Sequence, residues 1–191
     1  NTLNMIGSMA DLEDAPTTEK MTQSLAQLFR YNLNTREQIV PIDMELRIAE
    51  NYMYLQKMRF GSRIQYQVNT PEDVSHIRIP SFTMQPLVEN AIVHGLSKKE
   101  QGGTVSVTVT EDPTSEIVTL LIEDDGLGIA EERLSALNAR MHNPEENKTA
   151  RIGIGLGNIY RRIRTLYPEG GDLRIDAKEG VGTRITLTIP Q

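Results

Sequence analysis

The apolar residues of this chain change their spacing near residue 60, and this change limits the possible folds more than any other feature. Before Phe60, apolar residues recur every three or four positions, which predicts amphipathic helices. After Gly61, the stretches 104–110 (TVSVTVT) and 117–123 (IVTLLIE) show the alternating or continuously apolar pattern of strands. The sequence therefore predicts an α+β fold, in which one mixed sheet carries helices on a single face and follows an N-terminal helical segment.

The N-terminal segment, residues 1–35, is predicted to form a helical hairpin. The turn signal Asp14-Ala15-Pro16 separates its two helices. The second helix carries an apolar stripe at helical spacing, formed by Met21, Leu25, Leu28 and Phe29. Such a stripe needs a surface to cover it. We expect it either to pair with a second copy of the chain or to pack onto the chain's own body.

The other elements follow from the same rules of period and turn composition. A long helix is predicted from Asp43 to Phe60, with Gly61 as its C-terminal stop. Strands are predicted over 63–69, 74–80, 104–110, 117–123, 173–177 and 183–190, and helices over 81–96, 130–141 and 156–167. The polar segment 142–152 (HNPEENKTARI) is predicted to be a loop.

Charge and cysteine content exclude several classes of function. Lys and Arg total 20 against 26 Asp and Glu, and the net charge of -6 argues against a nucleic-acid partner. The absence of cysteine excludes disulfides, thiolate nucleophiles and cysteine-based zinc sites. No apolar run approaches the roughly 18 residues of a membrane span. The chain begins abruptly and without an initiator Met, so we expect it to be a fragment of a longer protein.

Three glycine clusters lie at predicted junctions between elements. They are Asp124-Asp125-Gly126-Leu127-Gly128 after a strand, Gly153-Ile154-Gly155-Leu156-Gly157-Asn158 at a helix start, and Gly180-Val181-Gly182-Thr183 before the last strand. Glycine lets a backbone approach a ligand closely, and a helix start offers free amides to a phosphate. Any one cluster could be only a turn, but three in one small domain indicate a binding site. Their spacing matches neither a Walker loop nor a Rossmann fingerprint.

Two polar positions lie where an apolar pattern would continue. Asp124 ends an apolar strand, and its carboxylate could accept the exocyclic amino group of adenine, whereas the oxygen of guanine would be repelled. The alternative is an ordinary aspartate that caps a turn. In the helix PSFTMQPLVENAIVHGL, Asn90 and His94 share a face, and Glu89 lies beside them. An asparagine oxygen suits Mg²⁺, while His94 could equally be a hydrogen-bonded packing residue.

The motifs QPLVENAIVHG, DDGLG, GIGLGNIYRRI and GVGT, in this order and spacing, resemble the N box and glycine boxes of histidine-kinase ATP-binding domains. Together with the upstream VPIDMELRIAENYMYLQKMRFGSRI, they are similar to the LytS/YesM type of sensor histidine kinase. The likeness covers nearly the whole chain. It implies a Bergerat-type two-layer α/β sandwich over 61–191 as the ATP-binding domain, and over 1–60 a part of the dimerisation and histidine-acceptor region.

The resemblance also implies a role for each matching residue. Asn90 would hold Mg²⁺ against the phosphates of ATP, and His94 and Asn158 are weaker matches to the family pattern. Asp124 would bind the adenine amino group. The residues implied to shape the pocket or the ATP lid over 129–157 are Gly126, Gly128, Gly153, Gly155, Leu156, Gly157 and Thr183.

The chain departs from the family pattern at three places. Asp125 stands where relatives often have Asn, which adds negative charge near ATP, and Val93 stands where many have Lys. The acceptor histidine of the H-F-L-[YF]-N-T-L-N segment would lie four residues before Asn1, and neither His76, His94 nor His142 matches it. The catalytic base is therefore unknown, with His94 and Glu89 as weak candidates. We expect this fragment to bind nucleotide but not to phosphorylate itself.

The family further implies a homodimer, a response-regulator receiver domain as phosphate acceptor, and a cytoplasmic location attached to a membrane only through missing N-terminal segments. Two alternatives stay open. One is a GHKL-type ATPase clamp like those of topoisomerases and chaperones, although Pro86 stands where they have a glutamate that activates water. The other is an ATP-binding interaction module without kinase activity.

Overall fold

The computed structural model describes residues 2–142 and 154–191. Most of the loop predicted over 142–152, and with it Gly153, lies outside these residues. Two helices, α1 (Thr2–Leu12) and α2 (Pro16–Asn34), open the chain and pack against each other. The break falls at the predicted turn, where Asp14 adopts a positive φ of 53° and Pro16 begins α2. The predicted hairpin is therefore confirmed.

The apolar stripe of α2 is covered only in part by the chain itself. Leu28 is 7% exposed and packs with Tyr31 and Ile48 in a small cluster. Phe29, in contrast, is 51% exposed, and Met21 and Leu25 are 37% and 36% exposed. Packing onto the chain's own body thus covers Leu28 fully and the other three residues of the stripe only in part.

The long helix α3 (Ile42–Phe60) joins the hairpin to the rest of the molecule. It ends as predicted at Gly61, whose φ of 64° suits glycine and whose N–H donates to the Lys57 carbonyl. Its inward residues are part of the main core, and they include Ile42, Leu46, Ala49 and Met53.

One predicted strand is wrong in length and does not join the main sheet. The stretch 74–80 forms only β3 (Arg78–Pro80), which pairs antiparallel with β1 (Ile39–Pro41) in a separate two-stranded sheet. The reason is local: the Ser75 N–H donates to Asp73 Oδ1 at 2.9 Å, and the Ile77 N–H donates to the Val74 carbonyl at 3.1 Å. These two bonds hold a turn where the alternating pattern predicted extended backbone.

The main sheet has five strands in the order β2-β4-β5-β7-β6. Their bounds are β2 (Ile64–Asn69), β4 (Gly103–Asp112), β5 (Ile117–Asp124), β6 (Asp172–Lys178) and β7 (Gly182–Pro190). The β2–β4 pair is parallel and the other pairs are antiparallel, so the sheet is mixed. Side chains alternate across it, with Val105, Val107 and Val109 buried on the inner face.

The helices cover that inner face. Helix α4 (Met84–Asn90) continues directly into a π-helical segment, Ala91–Leu96, and two further helices follow, α5 (Glu131–His142) and α6 (Ile154–Leu166). Buried residues from α3, α4 and α6 form one core with the inner face of the sheet. The predicted α+β sandwich with an N-terminal helical segment is therefore confirmed. Within the described ranges, no helix is both long and apolar enough to cross a bilayer.

Candidate functional site

Asp124 is the last residue of β5 and belongs to the inner, buried face of the sheet. It is 9% exposed, and its Oδ1 accepts a 2.9 Å hydrogen bond from the Gly126 N–H. Burial raises the pKa of this carboxyl to about 6, with the charge of Asp125 adding to the rise, while hydrogen bonds from Gly126 and Thr183 oppose it. A carboxylate that is buried but only partly satisfied keeps the capacity to accept a further hydrogen bond.

Gly95 lies directly against this carboxylate. A Cβ at Gly95 would be 2.7 Å from Asp124 Cγ and 3.0 Å from Oδ2, which is closer than side chains approach each other. Its carbonyl accepts a 2.9 Å bond from the Leu127 N–H, so the loop after β5 is fixed to the π-helical segment. That segment has the i to i+5 bond of a π turn, from the Ser97 N–H to the Ile92 carbonyl at 2.7 Å.

Two further glycines hold the loop after β5 against the β6–β7 turn. Gly128 has a φ of 64°, and a Cβ there would lie 2.6 Å from the Lys178 carbonyl carbon. Gly182 has a φ of 143°, and a Cβ there would collide with the backbone of Asp124. The Gly180 N–H completes the contact by donating to the Leu127 carbonyl at 2.7 Å. The first and third glycine clusters therefore close one corner of the site together.

A cavity of about 500 Å³ opens above Asp124. Its described lining residues are Asn90, Ala91, Val93, His94, Gly95, Lys98, Asp124, Leu127, Gly128, Ile129, Arg133, Leu137, Leu156, Ile175, Thr183 and Ile185. A smaller depression of about 260 Å³, which shares Asn90, Val93 and His94 with the cavity, adds Pro86, Glu89 and Gly155. The enclosed part is largely apolar around one carboxylate, and the outer part is polar.

Asn90 lies at the end of α4, where the cavity and the depression meet. Its Nδ2 donates a 2.7 Å hydrogen bond to the Pro86 carbonyl one turn earlier. This bond uses the amino side of the amide and leaves Oδ1 to act as a ligand. A Cβ at Gly155, near the start of α6, would lie 3.9 Å from this Nδ2, so the glycine box adjoins Asn90. An amide oxygen beside polar space fits Mg²⁺, which takes few protein ligands.

The structure brings most of the predicted site residues together. Asn90, His94, Asp124, Gly128, Leu156 and Thr183 line the cavity, and Glu89 and Gly155 line the depression. His94 and Glu89 are exposed at the rim rather than packed in the core. Gly126 is buried beneath Asp124, and Gly157 is buried within α6. Gly153 lies outside the described residues.

Asp125 points away from the cavity. Its Oδ1 accepts a 3.0 Å bond from the Thr104 N–H at the start of β4 and lies 3.5 Å from the Lys99 ammonium, which also contacts the Asp125 carbonyl. The expected negative charge beside the ligand is therefore balanced locally by Lys99. Its influence on the site is indirect, through the raised pKa of Asp124.

Several residues of the site were not predicted. Lys98 and Arg133 bring two positive charges to the cavity wall, and Ile175 and Ile185 supply apolar surface from β6 and β7. These positions lie far apart in the chain, so no local spacing could have shown them. Gly95 could have been identified from the sequence, because a glycine inside a helical pattern usually has a packing or functional reason.

A depression of about 550 Å³ on the outer face of the sheet is a weaker candidate. Its polar residues include Glu123 and Arg184, which satisfy each other at 2.7 Å. It is a shallow surface, and two of its charged groups, Glu123 and Arg184, are already paired with each other. The cavity above Asp124 offers instead a buried acceptor with remaining hydrogen-bonding capacity.

Comparison with known proteins identifies the family to which the chain is similar. A family model described as "Histidine kinase-, DNA gyrase B-, and HSP90-like ATPase" matches residues 80–191, and one described as "Histidine kinase" matches residues 1–64. The chain is 32% identical to sensor histidine kinase YesM of Bacillus subtilis and 31% identical to sensor protein LytS of Staphylococcus haemolyticus. Each alignment covers 100% of this chain, which spans about 30% of the length of these relatives.

Solved structures show the same fold. The histidine kinase domain of the Erythrobacter litoralis EL346 blue-light activated histidine kinase aligns with a TM-score of 0.55 at 19% identity, covering 100% of this chain and 86% of that one. The catalytic domain of histidine kinase ThkA aligns with a TM-score of 0.56 at 18% identity, covering 80% of this chain and 95% of that one. The chain thus belongs to the histidine kinase-, DNA gyrase B- and HSP90-like ATPase family, as a catalytic region of the LytS/YesM type of sensor histidine kinase.

Proposed function

We propose that this chain binds Mg²⁺ and ATP in the cavity above Asp124 and presents the γ-phosphate to a histidine of the dimerisation hairpin. The phosphate then passes to an aspartate of a response-regulator receiver domain. One observation carries the proposal: a buried, partly satisfied carboxylate closes the inner end of a cavity of about 500 Å³, and an available amide oxygen, that of Asn90, lies at its outer end.

The inner end suits an adenine base. Asp124 at pH 7 is an acceptor, and the adenine amino group is a donor that would pair with it. Guanine presents a carbonyl oxygen at the same edge, and its repulsion by the carboxylate would disfavour GTP. The apolar side chains of Leu127, Ile175 and Ile185 line the same cavity and would cover the base. Asp124 would therefore provide both affinity and selection of the base.

The outer end suits a triphosphate. Asn90 Oδ1 would hold Mg²⁺, which when bound supplies charge neutralisation at the phosphates. Lys98 and Arg133 would add positive charge from the cavity wall, where Val93 supplies none. The start of α6, with Gly155 beside Asn90, would offer backbone amides to phosphate oxygens. These groups orient the γ-phosphate and stabilise its charge, which are the main contributions of protein to phosphoryl transfer.

The helical region would supply the acceptor and the partner subunit. We propose that the acceptor histidine lies upstream of Asn1, on a helix that would continue into α1. A second copy would cover the apolar residues that the hairpin exposes, namely Met5, Ile6, Met9, Leu12, Met21, Leu25, Phe29 and Leu33. We place the division between this helical region and the ATP-binding domain at residues 60 and 61. The whole protein would be a membrane-attached sensor with this part in the cytoplasm.

A GHKL-type ATPase clamp is the second candidate, and Pro86 disfavours it. Proline has no group that can activate water, and its carbonyl oxygen is already occupied by the Asn90 amide. Glu89 is exposed in the same depression and is the remaining carboxylate there that could act as a base. The test uses a chain extended upstream to include the acceptor histidine. If this chain released phosphate to water and formed no acid-labile phosphohistidine, the result would favour the ATPase clamp over the kinase.

Two neighbouring aspartates provide a matched test of the binding site. Asp124→Asn replaces the carboxylate inside the cavity, and Asp125→Asn makes the same change to a side chain that points toward Thr104 and Lys99. Calorimetric titration with Mg·ATP should show a loss of about tenfold to a hundredfold for Asp124→Asn, since a hydrogen bond to a charged group is worth about 1.5–3 kcal/mol.

Asp125→Asn should keep the wild-type affinity within about twofold, because its contacts lie outside the cavity. The wild type should also prefer ATP to GTP, and Asp124→Asn should reduce that preference. Equal ATP affinity in the wild type and the Asp124→Asn variant would show that the base binds elsewhere.

A further inference from the structure

Glu45 of α3 is a fully buried carboxylate that holds the start of α4. Its Oε1 accepts a 2.7 Å hydrogen bond from the Phe82 N–H, and its Oε2 accepts bonds from the N–H groups of Thr83 and Met84 at 2.8 and 2.7 Å. The Thr83 hydroxyl instead donates to the Pro80 carbonyl at 2.6 Å, so it does not cap the helix. Glu45 therefore provides from another helix the N-terminal cap that α4 lacks.

Helix α2 reaches the same carboxylate through Tyr31. The Tyr31 hydroxyl donates to Glu45 Oε1, and its ring packs on Phe82 with 4.9 Å between the ring centroids. Burial and the adjacent Glu45 raise the pKa of Tyr31, so the hydroxyl stays protonated and donates. Phe82 has a positive φ of 57°, which is a costly conformation for a residue other than glycine. The bonds from Glu45 and the ring of Tyr31 fix this strained turn.

Helix α6 holds the same turn from the other side. Arg162 donates through Nη2 to the Phe82 carbonyl at 3.0 Å and to the Thr83 hydroxyl at 3.1 Å. Its positive charge also balances the buried charge of Glu45. The turn at residues 82–84 is thus held between α3 and α6, with α2 attached through one hydroxyl. We call these contacts of Glu45, Tyr31 and Arg162 with the turn the clamp.

The clamp lies two helical turns from the metal end of the candidate site. Thr83 precedes α4 and Asn90 ends it, while Gly155 and Arg162 are separated by the same number of residues in α6. The contacts Thr83–Arg162 and Asn90–Gly155 therefore place these two stretches side by side in opposite directions. At one end Thr83 bonds to Arg162, and at the other end Gly155 adjoins Asn90. A shift of the turn at residues 82–84 would therefore be carried along both helices to Asn90 and to the glycine box.

We infer that Glu45 and Tyr31 are positioning residues for the magnesium end of the nucleotide site, and that they link the hairpin to it through α4 and α6. The inference rests on the proposed function, because it assumes that Asn90 holds Mg²⁺. Asp124 lies on β5 and is held by Gly126, and the clamp reaches it through Gly95, which lies five residues beyond Asn90 on the continuation of α4. The base end therefore depends on the clamp less directly than Asn90 does, and loss of the clamp should impair the metal end more than the base end.

The readout is the gain in nucleotide affinity that Mg²⁺ provides. ATP affinity is measured by calorimetry on the full 191-residue chain, once with Mg²⁺ and once with EDTA, and the ratio of the two constants is the magnesium gain. A residue with a merely structural role would lower the unfolding temperature, or both affinities together, without changing this ratio.

Two variants and one control are needed. Glu45→Gln turns one acceptor oxygen into a donor that faces N–H groups, and Tyr31→Phe removes only the hydroxyl that joins α2 to Glu45. Tyr66→Phe is the control, because the Tyr66 hydroxyl is also buried, lies on β2, and has no hydrogen-bond partner within the described residues.

A direct outer partner of a metal ligand contributes at least about tenfold to metal affinity. Glu45 acts on Asn90 through α4, so we expect Glu45→Gln to reduce the magnesium gain by up to about tenfold. Tyr31→Phe should reduce it less, and Tyr66→Phe should leave it unchanged. The affinity measured in EDTA should stay close to that of the wild type in all three. If Glu45→Gln does not fold, the Tyr31→Phe result decides alone.

One result would overturn the inference: a magnesium gain that stays unchanged in the folded variants, whether both affinities are kept or both fall by the same factor. A wild-type chain that binds no nucleotide would instead refute the proposed function itself. A wild type with a clear magnesium gain that every variant retains would refute only the positioning role.

Discussion

Replacing Gly95 by Ala sets two effects of opposite sign against each other, namely the helix propensity of alanine and the close packing of Gly95 on Asp124. Glycine inside a helix is about 1 kcal/mol less favourable than alanine, so helix propensity alone predicts that Gly95→Ala stabilises the protein. The structure predicts the opposite sign. A Cβ at Gly95 would lie 2.7 Å from Asp124 Cγ, and the carboxylate would have to move or the π-helical segment would have to shift.

The expected magnitude follows from these terms. Forcing a methyl group into a packed site costs about 1–3 kcal/mol, and disturbing the bond between Gly126 N–H and Asp124 costs about 1.5–3 kcal/mol more. Subtracting the propensity gain of about 1 kcal/mol leaves a net destabilisation of about 1.5–5 kcal/mol. For a chain of this size, each kcal/mol lowers the unfolding temperature by about 2–4 °C.

The assay is thermal unfolding followed by circular dichroism, with Gly7→Ala as the matched control. Gly7 is also buried inside a helix, but its added Cβ would lie 3.8 Å from Thr22 Cγ2, an ordinary contact. We expect Gly7→Ala to raise the unfolding temperature slightly and Gly95→Ala to lower it by at least about 3 °C. A Gly95→Ala protein as stable as the wild type would show that Gly95 and Asp124 are not in close contact.

Three further predictions concern charge and association. Burial raises the pKa of Asp124 to about 6, so between about pH 4 and 6 the folded chain binds more protons than the unfolded one and loses stability as the pH rises. Asp124→Asn should therefore unfold at a higher temperature than the wild type at pH 7.5, and this difference should disappear at pH 4. Val93 is 43% exposed at the cavity wall, so Val93→Lys should raise the affinity for Mg·ATP about twofold to fivefold in a calorimetric titration, without a change in unfolding temperature. Phe29→Glu places a charge on the exposed apolar stripe of α2 and should shift sedimentation toward the monomer, whereas an unchanged dimer would remove this face from the interface.

The sequence predicts the elements of this fold well because most of them have a clear hydrophobic period. The strands β4 and β5 alternate or run apolar over their length, and α3 ends at the glycine that stops it. The strand predicted over 74–80 is wrong because its hydrophobic period does not determine its structure. Its alternation is interrupted by hydrogen bonds between near neighbours, which begin at Asp73 and depend on backbone geometry rather than on hydrophobicity.

The candidate site is predictable only where its residues lie in local motifs. Asp124 and Asn90 interrupt apolar patterns, so their positions are visible in the sequence. Lys98 and Arg133 reach the same cavity from separate elements, and nothing in their neighbourhoods distinguishes them from other surface cations. Their place depends on the way α5 and the π-helical segment face each other, which is a property of the tertiary structure.

Two carboxylates are buried among the residues that the structure describes, and they show why burial alone does not identify a binding residue. Glu45 accepts bonds from three backbone N–H groups and the Tyr31 hydroxyl, and Arg162 lies close by, so its charge is fully satisfied within the protein. Asp124 has fewer donors, a raised pKa and an open cavity in front of it. The first arrangement stabilises a fixed geometry, and the second is costly until a donor arrives from outside. The difference lies in the supply of donors around each carboxylate, which depends on residues distant in sequence, and it assigns Glu45 to support and Asp124 to recognition.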